Sequence, residues 1–204
     1  MRKIFVTGIG TDIGKTVVAA IITEALQADY WKPVQAGTYY TTDSEFIKKL
    51  ITNETSVIHP EAYKLREHKS PHEASAIEGI CIDFDKIVLP ASLNNTLVIE
   101  GAGGVMVPLN NNHFIIDLIK KFDAEVIVVI QNYLGSINHS LLTIDALKQR
   151  GIKIIGLVFN GSPHEPSKQI ITSYSGLQAI SSILNESKID KSVILKYAKD
   201  FQNI

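Results

Sequence analysis

The feature that most restricts this chain is the passage covering residues 3–20. A short apolar run at residues 4–7 leads into Gly8-Ile9-Gly10-Thr11-Asp12-Ile13-Gly14-Lys15-Thr16, and the helical pattern Val17-Val18-Ala19-Ala20 follows. A strand, a tight turn and a helix suit these residues in that order. Glycines let the turn close around a bound group, backbone N–H groups point inward, and the helix dipole adds positive potential, so the turn can cradle phosphate. Lys15 can reach the outer phosphates and Thr16 can place its hydroxyl on Mg²⁺. The usual motif has four residues between its glycines, whereas Gly8 and Gly14 enclose five. The strand before the turn and the helix after it outweigh that departure.

Further β-branched runs recur at residues 97–99, 126–130 and 154–159. They are continuously apolar rather than alternating, as strands buried on both faces are. Helices are expected over residues 14–27, 44–50, 117–122 and 139–150, with another strand over 30–34. Residues 63–83 read as loop and short helix. Strand and helix alternate along most of the chain, which predicts an α/β fold: a doubly wound, mostly parallel sheet of the P-loop NTPase kind. A length of 204 residues suits one domain over 1–204. Ligands of such sheets gather beyond the carboxyl ends of the strands.

Composition excludes several function classes. The net charge is −1, so there is no electrostatic footprint for nucleic acid or an anionic membrane. Arginine appears only at Arg2, Arg66 and Arg150, which makes lysine the expected phosphate cation and gives no obvious arginine finger. Cys81 is the sole cysteine, so neither an intrachain disulfide nor a cysteine metal site is expected, and it reads as a small apolar filler. The N-terminus lacks the charged-then-apolar pattern of a signal segment, and residues 126–130 are too short to span a bilayer. A cytoplasmic location is expected.

A phosphate site also needs an acidic group to organise its metal. Thr96-Leu97-Val98-Ile99-Glu100 is an apolar strand ending in a carboxylate, and Gly101-Ala102-Gly103-Gly104 follows. Glu100 is therefore a candidate Mg²⁺ ligand, directly or through water. Asp43 admits two readings, a metal ligand or an acid in the first turn of a helix that Thr42 and Glu45 cap. Lys32 precedes Pro33 at a strand end and can point into the same crevice. Asn160 also ends an apolar strand; its amide could read an adenine edge or simply serve the turn at Gly161-Ser162-Pro163. Backbone donors of Gly135-Ser136-Ile137-Asn138, ahead of a helix, suit a carboxylate, with Asn138 the expected helix cap.

Taken together these segments resemble the dethiobiotin synthetase family. The resemblance is carried by Val6-Thr7-Gly8 through Gly14-Lys15-Thr16 and by Trp31-Lys32-Pro33-Val34-Gln35-Ala36-Gly37. It continues through Ser70-Pro71-His72, Glu100-Gly101-Ala102-Gly103-Gly104, Leu134-Gly135-Ser136-Ile137-Asn138-His139 and Gly156-Leu157-Val158-Phe159-Asn160. The five-residue gap in the phosphate loop is itself similar to the family's version.

The resemblance implies a homodimer that uses ATP, CO₂ and 7,8-diaminononanoate, with Mg²⁺. One amine becomes a carbamate, the carbamate oxygen takes the γ-phosphoryl group, and the second amine closes the ureido ring. By the same resemblance Lys15 and Lys32 are the catalytic cations, and Thr16, Asp43 and Glu100 match the metal positions. Thr11, Asp12, Ile13, Gly14, Lys15, Thr16, Val17, Glu100 and Asn160 match the ATP-binding positions, Asn160 as reader of the base. Thr11 and Asp12 can touch phosphate, diamine or metal, and those roles stay open. Lys32, Ala36 and Gly37 would meet the diamine, Ala36 only through its backbone. Gly135, Ser136, Ile137 and Asn138 would hold its carboxylate from the neighbouring subunit. Ser70-Pro71-His72 could cover the site, with no proton-transfer role for His72.

Family members usually follow the final strand with a short proline-containing segment, and residues 178–185 have no proline. A looser or helical tail and weaker discrimination between nucleotide bases are expected from that difference. The competing class is a partitioning or positioning ATPase switch. Its members resemble this chain in fold but usually carry an extra lysine early in the phosphate loop, where this chain has Gly10.

Overall fold

The computed structural model of the chain describes residues 1–39 and 41–204. The first unit is strand β1 (Arg2–Gly8), the glycine turn and helix α1 (Lys15–Leu26). β2 (Asp29–Trp31), β3 (Val34–Gln35), α2 (Asp43–Leu50), β4 (Ile58–His59), β5 (Tyr63–Lys64) and α3 (Pro71–Ile77) follow. The second half alternates regularly: β6 (Thr96–Gly104), α4 (Ile115–Lys121), β7 (Glu125–Gln131), α5 (Ser136–Gln149) and β8 (Ile154–Asn160). It closes with α6 (Glu165–Ser175), β9 (Ala179–Ile183) and α7 (Lys191–Ala198).

Seven strands form one sheet in the order β4-β2-β6-β1-β7-β8-β9, and every pairing is parallel. Successive residues of the central strands enter opposite apolar layers. Phe5, Leu97, Ile99, Val126, Val128 and Ile130 pack with residues such as Ile119 of α4 and Ile144 of α5. Ile4, Val6, Val98, Ile127 and Val129 pack on the other face with Val18 and Ile22 of α1, Ile47 of α2 and Ile194 of α7. Both faces are therefore dry, which is why these strands lack polar alternation. Each fully buried Val, Ile or Phe contributes about 1.5–3 kcal/mol relative to an exposed one.

The strand expected over residues 30–34 is divided. β2 stops at Trp31, and Val34–Gln35 pairs with Tyr63–Lys64 in a separate two-stranded ribbon. Pro33 has no N–H to extend the ladder, and its carbonyl instead accepts from the backbone N–H groups of Ala62 and Tyr63 at 2.9 and 3.0 Å. The break leaves Lys32 just beyond the sheet's edge of order.

Other expectations also shift. α5 starts at Ser136, not His139, because Gly135 at φ 100° is the residue flanking the helix; Asn138 lies inside the first turn and is not the cap. Residues 178–185 contain β9, an edge strand, and of the looser or helical tail expected there the helical form follows it as α7. The strand's Ser181-Ser182 pair hid it in the sequence, yet Ser181 is buried and donates to Asp200 at 2.6 Å. The stretch that follows β9 has no proline, as the sequence shows. Cys81 is exposed, so it is not an apolar filler. The capping box at Thr42 and Glu45 is formed as expected.

Candidate active site

The phosphate loop depends on one backbone conformation. Gly14 sits at φ 89° immediately before α1, and a Cβ there would lie 2.2 Å from the Asn160 amide nitrogen. Asn160 occupies that space and donates to the Ile13 carbonyl at 2.9 Å. The end of β8 thus props the loop that starts α1, although the two segments are far apart in sequence. On the opposite side β6 runs past the loop, where a Cβ on Gly104 would meet the Gly8 carbonyl at 3.5 Å. Lys15 folds over the loop and donates to the Gly10 carbonyl at 2.7 Å.

A cavity of about 670 Å³ opens in front of this loop. Thr11, Asp12, Ile13, Gly14, Lys15, Thr16 and Val17 line one side, and Lys32, Ala36, Gly37, Asp43 and Glu100 are among the residues lining the rest. Those sequence-derived candidates share a single space at the carboxyl edge of the sheet, where open α/β folds bind ligands. Asn160 is not on the cavity wall but behind the loop. Gly135, Ser136, Ile137 and Asn138 are also absent from it and lie after β7.

Strand register explains how the charged groups meet. Tyr30 pairs with Val98 and Trp31 with Ile99, so the next step brings Lys32 level with Glu100. Lys32 Nζ donates to Glu100 Oε1 at 3.1 Å and forms an ion pair with Asp43. Thr16 Oγ1 donates to the same Glu100 oxygen at 2.9 Å. Burial opposes the charge on Lys32, but the carboxylates of Glu100 and Asp43 outweigh it and raise its pKa. Lys32 is therefore a fixed cation. Lys15 is in the opposite position: burial pushes its pKa down to about 8, assisted by Lys32 and only partly opposed by Glu100. An arriving anion would relieve that cost.

Asp43 is held through its backbone as the first residue of α2. Its N–H donates to Gln35 Oε1 at 3.1 Å, while Gln35 Nε2 donates to the Ala36 carbonyl at 2.8 Å. The two readings of Asp43 are compatible, since an acid in the first turn also faces the cavity. Among the described residues, no group of three or more His, Cys, Asp and Glu side chains gathers as a metal cluster. The candidate Mg²⁺ set is smaller: two carboxylates and the Thr16 hydroxyl. All are hard oxygen donors of the kind Mg²⁺ takes, and the Lys32 ammonium between the two acids shows that their geometry accepts a cation.

The structure adds His68 and Lys69 to the wall, which sequence reading did not single out, beside Ser70 and Pro71 of the expected covering segment. All four line the cavity, and their segment is stitched to the Ala36-Gly37 turn by Gly37 N–H donating to the Glu67 carbonyl at 3.0 Å. His72 is exposed, outside the cavity wall, and its Nδ1 lies 3.0 Å from the Ser70 hydroxyl. Tyr30, fully buried, donates from its hydroxyl to Glu100 Oε2 at 2.7 Å. Burial and the Glu100 charge raise its pKa well above the ordinary value, so the phenol stays protonated. The available signal for Tyr30 was its period-two spacing from Lys32, which sends both side chains to the same side of the extended chain as it leaves β2.

A family model described as an AAA domain matches residues 2–193. The chain is 52% identical over 204 residues to the ATP-dependent dethiobiotin synthetase BioD of Cytophaga hutchinsonii, covering 100% of this chain and 98% of that protein. It is 47% identical over 201 residues to the protein of the same name from Christiangramia forsetii, covering 98% and 96%. The Chlamydia pneumoniae protein of that name is 37% identical, covering 100% and 91%. Among solved structures, the MinC:MinD cell division protein complex of Aquifex aeolicus aligns with a TM-score of 0.61 at 12% identity, covering 100% of this chain and 97% of that one. MinD of Pyrococcus horikoshii, complexed with Mg-ADP, gives 0.59 at 12% identity, covering 99% and 96%. At such identities the solved structures speak for the fold alone, a parallel α/β sheet behind a phosphate loop. Identity of this extent over whole chains speaks for more, and the chain belongs to the dethiobiotin synthetase family.

Proposed function

We propose that this chain is an ATP-dependent dethiobiotin synthase, a single-domain ligase that joins CO₂ to 7,8-diaminononanoate and closes the ureido ring, releasing ADP and phosphate. The observation that carries the reading is the single cavity in which Lys15, Lys32, Thr16, Asp43 and Glu100 converge beside the phosphate loop, in a chain 52% identical to a curated synthetase throughout its length.

The chemistry follows from charge. One amine adds to CO₂ to give a carbamate, whose oxygen attacks the γ-phosphorus of ATP as ADP leaves. The second amine then attacks the resulting mixed anhydride at its carbonyl carbon, expelling phosphate. Phosphoryl transfer of this kind requires alignment and neutralisation rather than covalent help from protein. The loop N–H groups and Lys15 hold the phosphates, and Lys32 faces the transferred group and the carbamate. Thr16, Asp43 and Glu100 would hold Mg²⁺, which when bound neutralises charge on the phosphate oxygens. Ala36 and Gly37 offer backbone groups to the diamine, under the His68–Pro71 wall. Asn160 supports the base-side end of the loop.

The diamine's carboxylate would be held by residues 135–138 of a second subunit, since that segment lies outside the cavity of its own chain. A homodimer is the consequent assembly, and exposed Leu134 beside that segment and Ile137 within it supply apolar surface for it. Among the described residues no helix is long and apolar enough to cross a membrane, and use of ATP favours a cytoplasmic location. The test is turnover: purified protein with ATP, Mg²⁺, bicarbonate and 7,8-diaminononanoate should release one dethiobiotin per ADP. ADP release without diamine dependence would overturn the reading in favour of an ATPase switch.

A further inference from the structure

The two oxygens of Glu100 have different surroundings. Oε1 accepts from Thr16 at 2.9 Å and from Lys32 at 3.1 Å, the two cavity-lining partners. Oε2 accepts from Tyr30 Oη at 2.7 Å in a wholly buried contact. Tyr30 itself lies outside the cavity wall and is sealed in the layer beneath α1. Packing alone does not require a hydroxyl here, since a phenylalanine ring would fill nearly the same volume without a polar atom to satisfy. Among the described residues the phenol has one hydrogen-bond partner, and that partner is the acid at the centre of the site.

We infer that Tyr30 is a positioning residue for Glu100: its hydroxyl holds Oε2 inward and so presents Oε1 to Thr16, Lys32 and the cation that accompanies ATP. The inference rests on the proposed metal role of Glu100. With the phenol removed, Oε2 becomes a buried carboxylate oxygen without a donor. The carboxylate then gains by rotating toward Thr16 or Lys32, and the geometry offered to the cation is lost. Outer partners of this type typically contribute 10–100-fold to metal affinity or activity.

The experiment uses Tyr30→Phe and calorimetric binding of a non-hydrolysable ATP analogue at a series of Mg²⁺ concentrations. The Mg²⁺ concentration for half-maximal tightening should rise about tenfold, with affinity in EDTA unchanged. In turnover, kcat should fall by about the same factor while KM for the diamine stays within about twofold. Tyr30→Met, a second variant without the hydroxyl, should repeat the shift. In a Glu100→Gln background Tyr30→Phe should change the Mg²⁺ dependence by less than about twofold, because the two residues act as one unit. A wild-type Mg²⁺ dependence in folded Tyr30→Phe, or an equal effect in both backgrounds, would overturn the inference. Absence of any Mg²⁺ dependence in the unaltered protein would instead remove the metal role of Glu100 on which it stands.

Discussion

Lys32 carries its charge between two carboxylates, so its removal has two separable consequences. Lys32→Ala should reduce turnover by roughly 10²–10³-fold, the usual loss for one well-placed electrostatic donor. It should also lower stability by about 3 kcal/mol, because the buried Glu100 carboxylate loses its cation. Lys15 predicts a contrasting outcome. Burial already disfavours its charge, so Lys15→Met should lose comparable activity without lowering the urea midpoint. Kinetics and urea melts on both variants separate these effects. Asn160 calls for a different comparison. Its bond to the Ile13 carbonyl supports the phosphate loop whatever base is bound, so Asn160→Ala should raise KM for ATP, CTP and GTP alike, by about tenfold for one lost hydrogen bond. A loss confined to ATP would assign it to base recognition alone.

Elements bring these residues together, and β2 does so from both of its ends. Beyond its carboxyl end stands Lys32; at its amino end Asp29 accepts from Val57 N–H at 2.8 Å, from Asn94 Nδ2 at 2.6 Å, and contacts His59 Nε2 at 2.9 Å. Burial works against the Asp29 charge, but hydrogen bonds from Ser92, Val57, His59 and Asn94 outweigh it and hold its pKa below the ordinary value. A depressed carboxylate pKa contributes stability above the unfolded value of about 3.9, and that contribution is lost as pH falls through the folded value. Asp29→Ala should therefore cost about 1–3 kcal/mol at pH 7. The difference from the unaltered protein should narrow on going to pH 3, as urea melts at the two pH values would show. The same strand illustrates how much of an element the sequence reveals. Its apolar run was legible, whereas its end depended on Pro33 turning its carbonyl to Ala62 and Tyr63.

At the scale of the whole molecule, we propose that a second copy completes the site. Leu134 is fully exposed next to the segment that would hold the diamine's carboxylate. Leu134→Glu should shift sedimentation to the monomer and abolish dethiobiotin formation, while Mg-ATP analogue binding persists because the phosphate loop lies within one chain. An active monomer of that variant would remove the second subunit from the site.

Local sequence determined the phosphate loop, the central strands and the capping of α2, because each depends on neighbours in the chain: glycines before a helix, apolar runs, and Thr42 three residues from Glu45. It also brought Lys32, Asp43 and Glu100 forward as candidates, through their places at strand ends and a helix start. β9 stayed hidden since an edge strand tolerates serines that a central strand does not. The Tyr30 bond to Glu100 and the Asn160 prop behind Gly14 were decided only by tertiary structure. Both join residues widely separated in sequence, and the register of parallel strands, which no local pattern encodes, is what sets them side by side.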